Sequence, residues 1–498
     1  MAPDSLQNAP ARLEVALRYA WPFVLLIVAL NVLTGILHGP HWLWNEARLA
    51  PAFSMMYGYH LYPGRDALAP IAGTLHAPVG YILYAGLAFL KDPTQALLAA
   101  CTLSAALYFV PLVWLHLRVS GSNRRLIGIY GFFACAAVVV AGPGTSYAAM
   151  NVHVDASATA AAVVAAGLLL RPGSSRRALL FSAFLGVLSV GCKQVMAAVP
   201  VALALFVLLA DGRRVFFHYV LRQLVSGLFI AAAILLIFRP PQALLFNTYW
   251  LATHRPPFGG SARFLAGLYD ERTALAAIIP VLFLLGSRMI WMDTGALRER
   301  LNRNRWLVFL ILALFQLPFA LRAWTTVGGD FNHLGIVTLF ATLAATVGLI
   351  APSGPPFPPA LPIALLAGIA IAALPIPWKL PEAISSVYDN SAEVAFRYEK
   401  VHPGRAYFPM NPLAALLASG RLTHFDLSLV DREIAGCPIT PAQFAAGLPP
   451  QYQLIAFSPE QESPGSLLGV ARIHSMKPVQ EKGLEGWRVF ALPEQGAN

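Results

Sequence analysis

Charge is what this sequence has least of: Lys, Arg, Asp and Glu together make up 12% of its 498 residues, about half the share usual in a soluble globular chain. Beside a hydrophobic content of 57%, that shortage excludes both an ordinary soluble enzyme and a disordered chain. Cysteine is scarce too. Cys101, Cys135, Cys192 and Cys437 are scattered, so their spacing builds neither a disulfide framework nor a metal motif. The chain has no phosphate-binding loop, dinucleotide fingerprint, serine elbow or HExxH motif. It also shows no internal repeat on the scale of about 20 to 50 residues. No cleavable signal peptide precedes the first apolar run, which is expected to stay as an anchor.

What is present is a series of apolar runs, each close to the ~20 residues a helix needs to cross ~30 Å of hydrocarbon. They fall at 19–38, 95–117, 126–143, 155–171, 178–191, 194–210, 218–238, 273–291, 306–324, 334–351 and 359–376. This predicts a polytopic α-helical membrane protein with about eleven transmembrane helices. After Pro377 the long runs stop and charge density rises. Residues 379–498 are therefore predicted to form a small soluble α/β domain appended to a membrane domain of residues 1–378. Its helices are expected at Ala383–Glu399, Asn411–Ser419 and Pro441–Ala446, and its strands at Leu454–Phe457 and Trp487–Phe490.

The net charge of +11 is carried by arginines in short loops between the runs, a positive-inside pattern and not a nucleic-acid patch. The same pattern decides a doubtful run at Val79–Leu90, which is short and framed by His76, Pro78 and Lys91. If it does not cross, Arg12, Arg118, Arg125, Arg171, Arg177, Arg213 and the Arg288–Arg305 cluster share one side, the cytoplasm. If it crossed, the bias would be incoherent. The first outer loop then runs from 39 to 94 with interfacial helices, the N-terminus is cytoplasmic, and the soluble domain lies outside.

The outer side collects the polar residues capable of chemistry. Glu46, Asp66 and His76 come from the first loop, His153 and Asp155 from the second, Lys193 from the third, and Arg322, Asp330, Asn332 and His333 from late in the membrane domain. Each has a plainer reading: Glu46 as a helix-terminal acid or partner of Arg48, Asp155 as a helix cap, Lys193 as a snorkelling side chain, Arg322 as a partner of Asp330. The chemical reading makes Glu46 a general base towards an acceptor hydroxyl and Asp155 its second acid. Lys193 and Arg322 suit an anionic, phosphate-bearing head group, and Asp66, His153, Asn332 and His333 are further site candidates. Glu46, Asp155 and His153 would be the ligands of a divalent metal, although their spacing matches no recognised ligand motif.

In their order, Asn45-Glu46, His76-Ala77-Pro78, Val154-Asp155, Cys192-Lys193-Gln194 and Gly328-Gly329-Asp330-Phe331-Asn332-His333 resemble the motifs of GT-C fold membrane glycosyltransferases. The resemblance is to the branch of lipid A aminoarabinose transferases and protein O-mannosyltransferases, and it covers most of residues 19–376. It implies a sugar donor carried on a polyprenyl phosphate, a first-loop acid at the reaction centre, and basic residues, here His76, Lys193 and Arg322, around the lipid phosphate. Two departures stand out. The acidic doublet of many relatives is Asn45-Glu46 here, and His76 stands where the aminoarabinose transferases carry lysine. The function implied is a hexosyl- or pentosyltransferase of the bacterial inner membrane, acting on a lipid, polysaccharide or protein acceptor at the outer, periplasmic face. It needs no nucleotide or nucleic-acid partner and no cofactor other than the divalent metal left open above. Two rivals use similar contacts: a transporter or flippase for a lipid-linked sugar, and a non-catalytic subunit of envelope-polysaccharide assembly.

Overall fold

In lipid, an uninterrupted apolar run satisfies its backbone polar groups internally only as a helix. The computed structural model describes residues 9–121, 125–292, 296–330, 332–351, 379–459 and 465–493. Up to Ile350 it is almost entirely helical. The main helices are α1 (Ala9–His38), α2 (Leu43–Ser54), α3 (Val79–Ala85), α4 (Pro93–Ser120), α5 (Arg125–Ala141), α6 (Pro143–Met150) and α7 (Val154–Leu168). They continue with α8 (Arg176–Cys192), α9 (Ala198–Asp211), α10 (Arg213–Ile237), α11 (Gly260–Asp270), α12 (Arg272–Met292), α13 (Leu307–Trp324) and α14 (Asn332–Ile350).

Among the described residues, six helices are long and apolar enough to cross a membrane, or seven if α5 and α6, bent by 99° where they meet, form one span. α7 and the Arg272–Ser287 part of α12 are apolar but shorter. The chain is a multi-pass membrane protein. The expected run at 359–376 lies outside the described residues. Val79–Leu90 yields only the seven-residue α3, about 10 Å long at 1.5 Å per residue and too short to cross.

Arg305 forks onto both Asp211 carboxylate oxygens at 2.9 Å and donates to Leu169 O at 2.6 Å, while Arg298 reaches Asp211 O at 2.8 Å. The loops bearing these residues meet at one end. Those bearing residues 45, 76, 153, 193 and 332 meet at the other. α14 is the most enclosed span, with 83% of its apolar window buried against 17% for α1 and α10. It approaches α6 backbone to backbone: a Cβ placed on Gly335 would come within 2.4 Å of the Gly144 carbonyl carbon.

The tail comprises α15 (Leu380–Ser385), α16 (Ser391–Val401), β1 (Ala406–Tyr407), α17 (Pro412–Ser419), α18 (Asp426–Ile434), α19 (Pro441–Ala446), β2 (Leu454–Phe457), α20 (Leu467–His474), β3 (Lys477–Val479) and β4 (Arg488–Ala491). Its four strands run in the order β1-β2-β4-β3, with β1 parallel to β2 and the other pairs antiparallel. All four residues of β2 are buried, as suits a strand covered on both faces. The expected helix Ala383–Glu399 is broken, because Asn390 caps a new helix start by accepting from Glu393 N at 3.0 Å.

One apolar cluster joins the tail to the first loop: Leu49 and Phe53 of α2, Tyr62 and Tyr84 pack with Phe396, Phe408, Leu413 and Leu416. Nine of the twelve residues of α2 are buried, while Trp44 stays exposed.

Candidate active site

Between α6 and α7 the chain crosses over in a short turn, and His153, in extended conformation, caps α7 by accepting from Asp155 N at 3.2 Å. With the cap taken by His153, the Asp155 carboxylate is released for other partners. Lys193, which ends α8, forms an ion pair with its Oδ1, and Asn332 at the head of α14 donates to its Oδ2 at 2.6 Å. His153 Nδ1 lies 3.1 Å from that same Oδ2. A protonated ring donates to the carboxylate there, and a neutral ring accepts the Asp155 amide. The side chains of Asp155 and Lys193 have no exposure at all. A carboxylate taken out of water to that degree persists only when paired and hydrogen-bonded in this way.

His76 forms the rim. Its ring meets that of His153 edge to face at 5.6 Å. Gln194, next to Lys193, grips the chain on either side of it, accepting from Ala77 N at 3.1 Å and donating to Leu75 O at 2.5 Å. Burial, with the Lys193 charge as the next cause, holds the His76 pKa well below the usual histidine range, so the ring is neutral and its lone pair available. His333, beside Asn332, lies within electrostatic reach of both Lys193 and Asp155.

The structure thus brings together Asp155, Lys193, His153, Asn332, His333 and His76, and it sets three other candidates apart. Glu46 is buried on α2, but its carboxylate is engaged by the tail: Oε2 accepts from Asn411 Nδ2 at 2.7 Å and Oε1 from Ala414 N at 3.0 Å. Asp66 is exposed in the loop, within range of the Arg432 charge. Arg322 is exposed at the end of α13, donating to Thr326 Oγ1 at 3.1 Å. Among the described residues, no group of three or more His, Cys, Asp and Glu side chains is placed to hold a metal ion.

Two residues outside the candidate set, Asn45 of the Asn45-Glu46 motif and Arg48, complete the wall. Asn45 accepts from Val152 N and donates to Asn151 Oδ1, both at 2.9 Å. Arg48 donates to Val152 O at 3.4 Å and lies 5.1 Å from the Tyr147 ring and 5.6 Å from the Trp44 ring. Its half-buried charge acts on His76, His153 and Lys193. The signal for the pair was their i, i+3 spacing, which puts both on one face of α2. Chemically, an outward-facing cluster of one carboxylate, one ammonium, neutral imidazoles and a half-exposed guanidinium is equipped to hold an anionic group and to accept a proton.

Fold and site together define a polytopic membrane protein with the GT-C fold. Two solved structures carry the comparison. ArnT from Cupriavidus metallidurans bound to undecaprenyl phosphate has a TM-score of 0.59 at 14% identity, covering 96% of this chain and 99% of that one. The same protein in its apo state has a TM-score of 0.57 at 14% identity, covering 95% and 98%. At that identity the likeness is one of fold. No family model matches the sequence, and neither does any curated protein.

Proposed function

We propose that this protein is an integral membrane glycosyltransferase of the bacterial inner membrane, moving a hexosyl or pentosyl group from a polyprenyl phosphate to an acceptor at the outer face. The observation that carries this reading is the fully buried Asp155–Lys193 pair, gathered with His153 and Asn332 where three helix ends meet. The fold supports it, since the ArnT structure that shares it holds undecaprenyl phosphate. In this reading the N-terminus is cytoplasmic, and residues 379–498 form a domain on the outer side.

In the reaction the acceptor oxygen bonds to the anomeric carbon while the bond from that carbon to the phosphate oxygen breaks, and the polyprenyl phosphate leaves with the electron pair. Lys193 and Arg48 face the leaving phosphate and offset its charge, the neutral His76 ring offers it a hydrogen bond, and Arg322 stands at the outer rim for the approaching head group. A phosphate that draws Lys193 away uncovers one Asp155 oxygen, which takes the acceptor's proton, while Asn332 holds the carboxylate in place and His153 caps the helix that carries it. Glu46 is assigned the task of anchoring the tail.

Incubation of the purified protein with radiolabelled polyprenyl-phosphate sugars and candidate acceptors tests this. Released polyprenyl phosphate is the expected product. Movement of intact donor across a vesicle bilayer without bond cleavage would replace the enzyme by a transporter.

A further inference from the structure

The hinge between α11 and α12 holds a carboxylate that the chemistry above does not use. Glu271 is 2% exposed. Its Oε1 accepts from Gly144 N, at the head of α6, at 3.0 Å, and the Thr338 hydroxyl of α14 lies beside the same carboxylate without completing a hydrogen bond to Oε2. A Cβ on Gly142 would come within 3.3 Å of Oε2, so the turn between α5 and α6 closes directly over the acid. The acid is therefore bonded to α6 and lies beside α14, the two elements that touch through Gly144 and Gly335.

The far ends of this junction both reach Asp155. The C-terminal end of α6 leads through Asn151 and Val152 to His153, and α14 opens with Asn332. His153 and Asn332 sit at 3.1 Å and 2.6 Å from one and the same oxygen, Oδ2. Their separation is set by how α6 sits against α14.

We propose that Glu271 is a positioning residue of the Asp155 cluster: by holding the head of α6 where it packs on α14 it fixes where His153 and Asn332 meet Oδ2. Only the activity arm of its test rests on the transferase reading. Glu271→Gln keeps an acceptor for Gly144 N, and Glu271→Ala removes it. In full-length protein, Glu271→Ala is expected to raise amide hydrogen exchange across 144–155. It should also lower kcat on the order of 10²-fold, the size of loss expected when reacting groups are misplaced by about 1 Å, with the donor KM changed less than about threefold. Glu271→Gln should match wild type in exchange and stay within about threefold of it in kcat.

Wild-type exchange in Glu271→Ala overturns the proposal. So does a kcat loss in Glu271→Gln as deep as in the alanine variant, which would show that the negative charge itself takes part. Should the alanine variant not fold, Thr338→Val removes the α14 hydroxyl beside the carboxylate at nearly constant volume. Exchange across 144–155 should then rise, and an unchanged pattern overturns the idea. If wild type transfers no sugar, the transferase reading fails while the exchange arm still decides this one.

Discussion

At the residue scale, the consequential finding is that Asp155 and Lys193 neutralise each other with no solvent contact. Removing one member of such a pair strands the other charge and costs about 3–5 kcal/mol. Asp155→Asn alone is thus expected to unfold or misassemble in a detergent melting assay, and its inactivity would say little. The informative variant is the double replacement Asp155→Asn with Lys193→Met, which strands no charge. It should melt close to wild type and yet release no polyprenyl phosphate; transfer at the wild-type rate would remove both residues from the chemistry.

Asn45 gives a second test at this scale. Its amide donates to Gly39 O and Asn151 Oδ1, both at 2.9 Å, so Asn45→Asp sets a carboxylate oxygen against a buried carbonyl. The variant is expected to lose about 1–3 kcal/mol of stability, the cost of a buried acceptor left without a donor, and to gain no activity. A faster transferase would show that a first-loop acid at this position is the missing base. Much of the cluster was legible, because charge parity tells which end of a span each polar residue occupies. Direction around the helix was not: neighbours on a helix point about 100° apart, so Asn45 turns to the 151–152 turn and Glu46 to the tail.

At the element scale, Glu46 performs across the chain what a cap side chain performs locally. Asn411 precedes α17 without capping it and donates to Glu46 instead, while Glu46 Oε1 accepts from Ala414 N, one of the helix's first amides. An acid at a helix N-terminus both satisfies a donor and complements the dipole. Glu46 lies in the first turn of its own helix, but the amides its carboxylate accepts from belong to the tail, 365 residues away in sequence, and no local pattern reveals that. Glu46→Ala should therefore destabilise by about 1–3 kcal/mol, leaving buried amide donors without an acceptor, and speed proteolytic release of the tail. Glu46→Gln should keep the tail docked and retain transfer. If it instead lost on the order of 10²–10⁴-fold, the range for a missing general base, with the tail still protected, Glu46 would return to the reaction centre.

At the scale of the whole molecule, the tail is built into the first loop that carries His76. The buried Arg432 donates to Arg65 O, Gly64 O and Pro63 O at 2.9, 3.1 and 3.3 Å, Asp431 pairs with Arg255, and Ser428 donates to Gly73 O at 3.1 Å. His424 is a titratable member of this seam. Its Nδ1 accepts from Ile71 N at 2.9 Å, so Nε2 carries the proton and donates to Phe444 O at 3.0 Å. A second proton would break the Ile71 bond. Burial, beside the Arg432 charge, lowers the His424 pKa from 6.5 to about 4. The unfolded chain therefore takes up its proton first, and the contribution to stability is lost as pH falls from 6.5 towards 4. The whole effect is worth about 3 kcal/mol. Carboxylates elsewhere titrate over part of the same range, so the quantity to measure is a difference. Wild type and His424→Gln, which retains one acceptor and one donor, are compared by hydrogen exchange across 424–457 from pH 7 to pH 5. Wild type should loosen more steeply than the glutamine variant; parallel pH profiles would take His424 out of the seam's energetics and leave Arg432 as its main polar fastening.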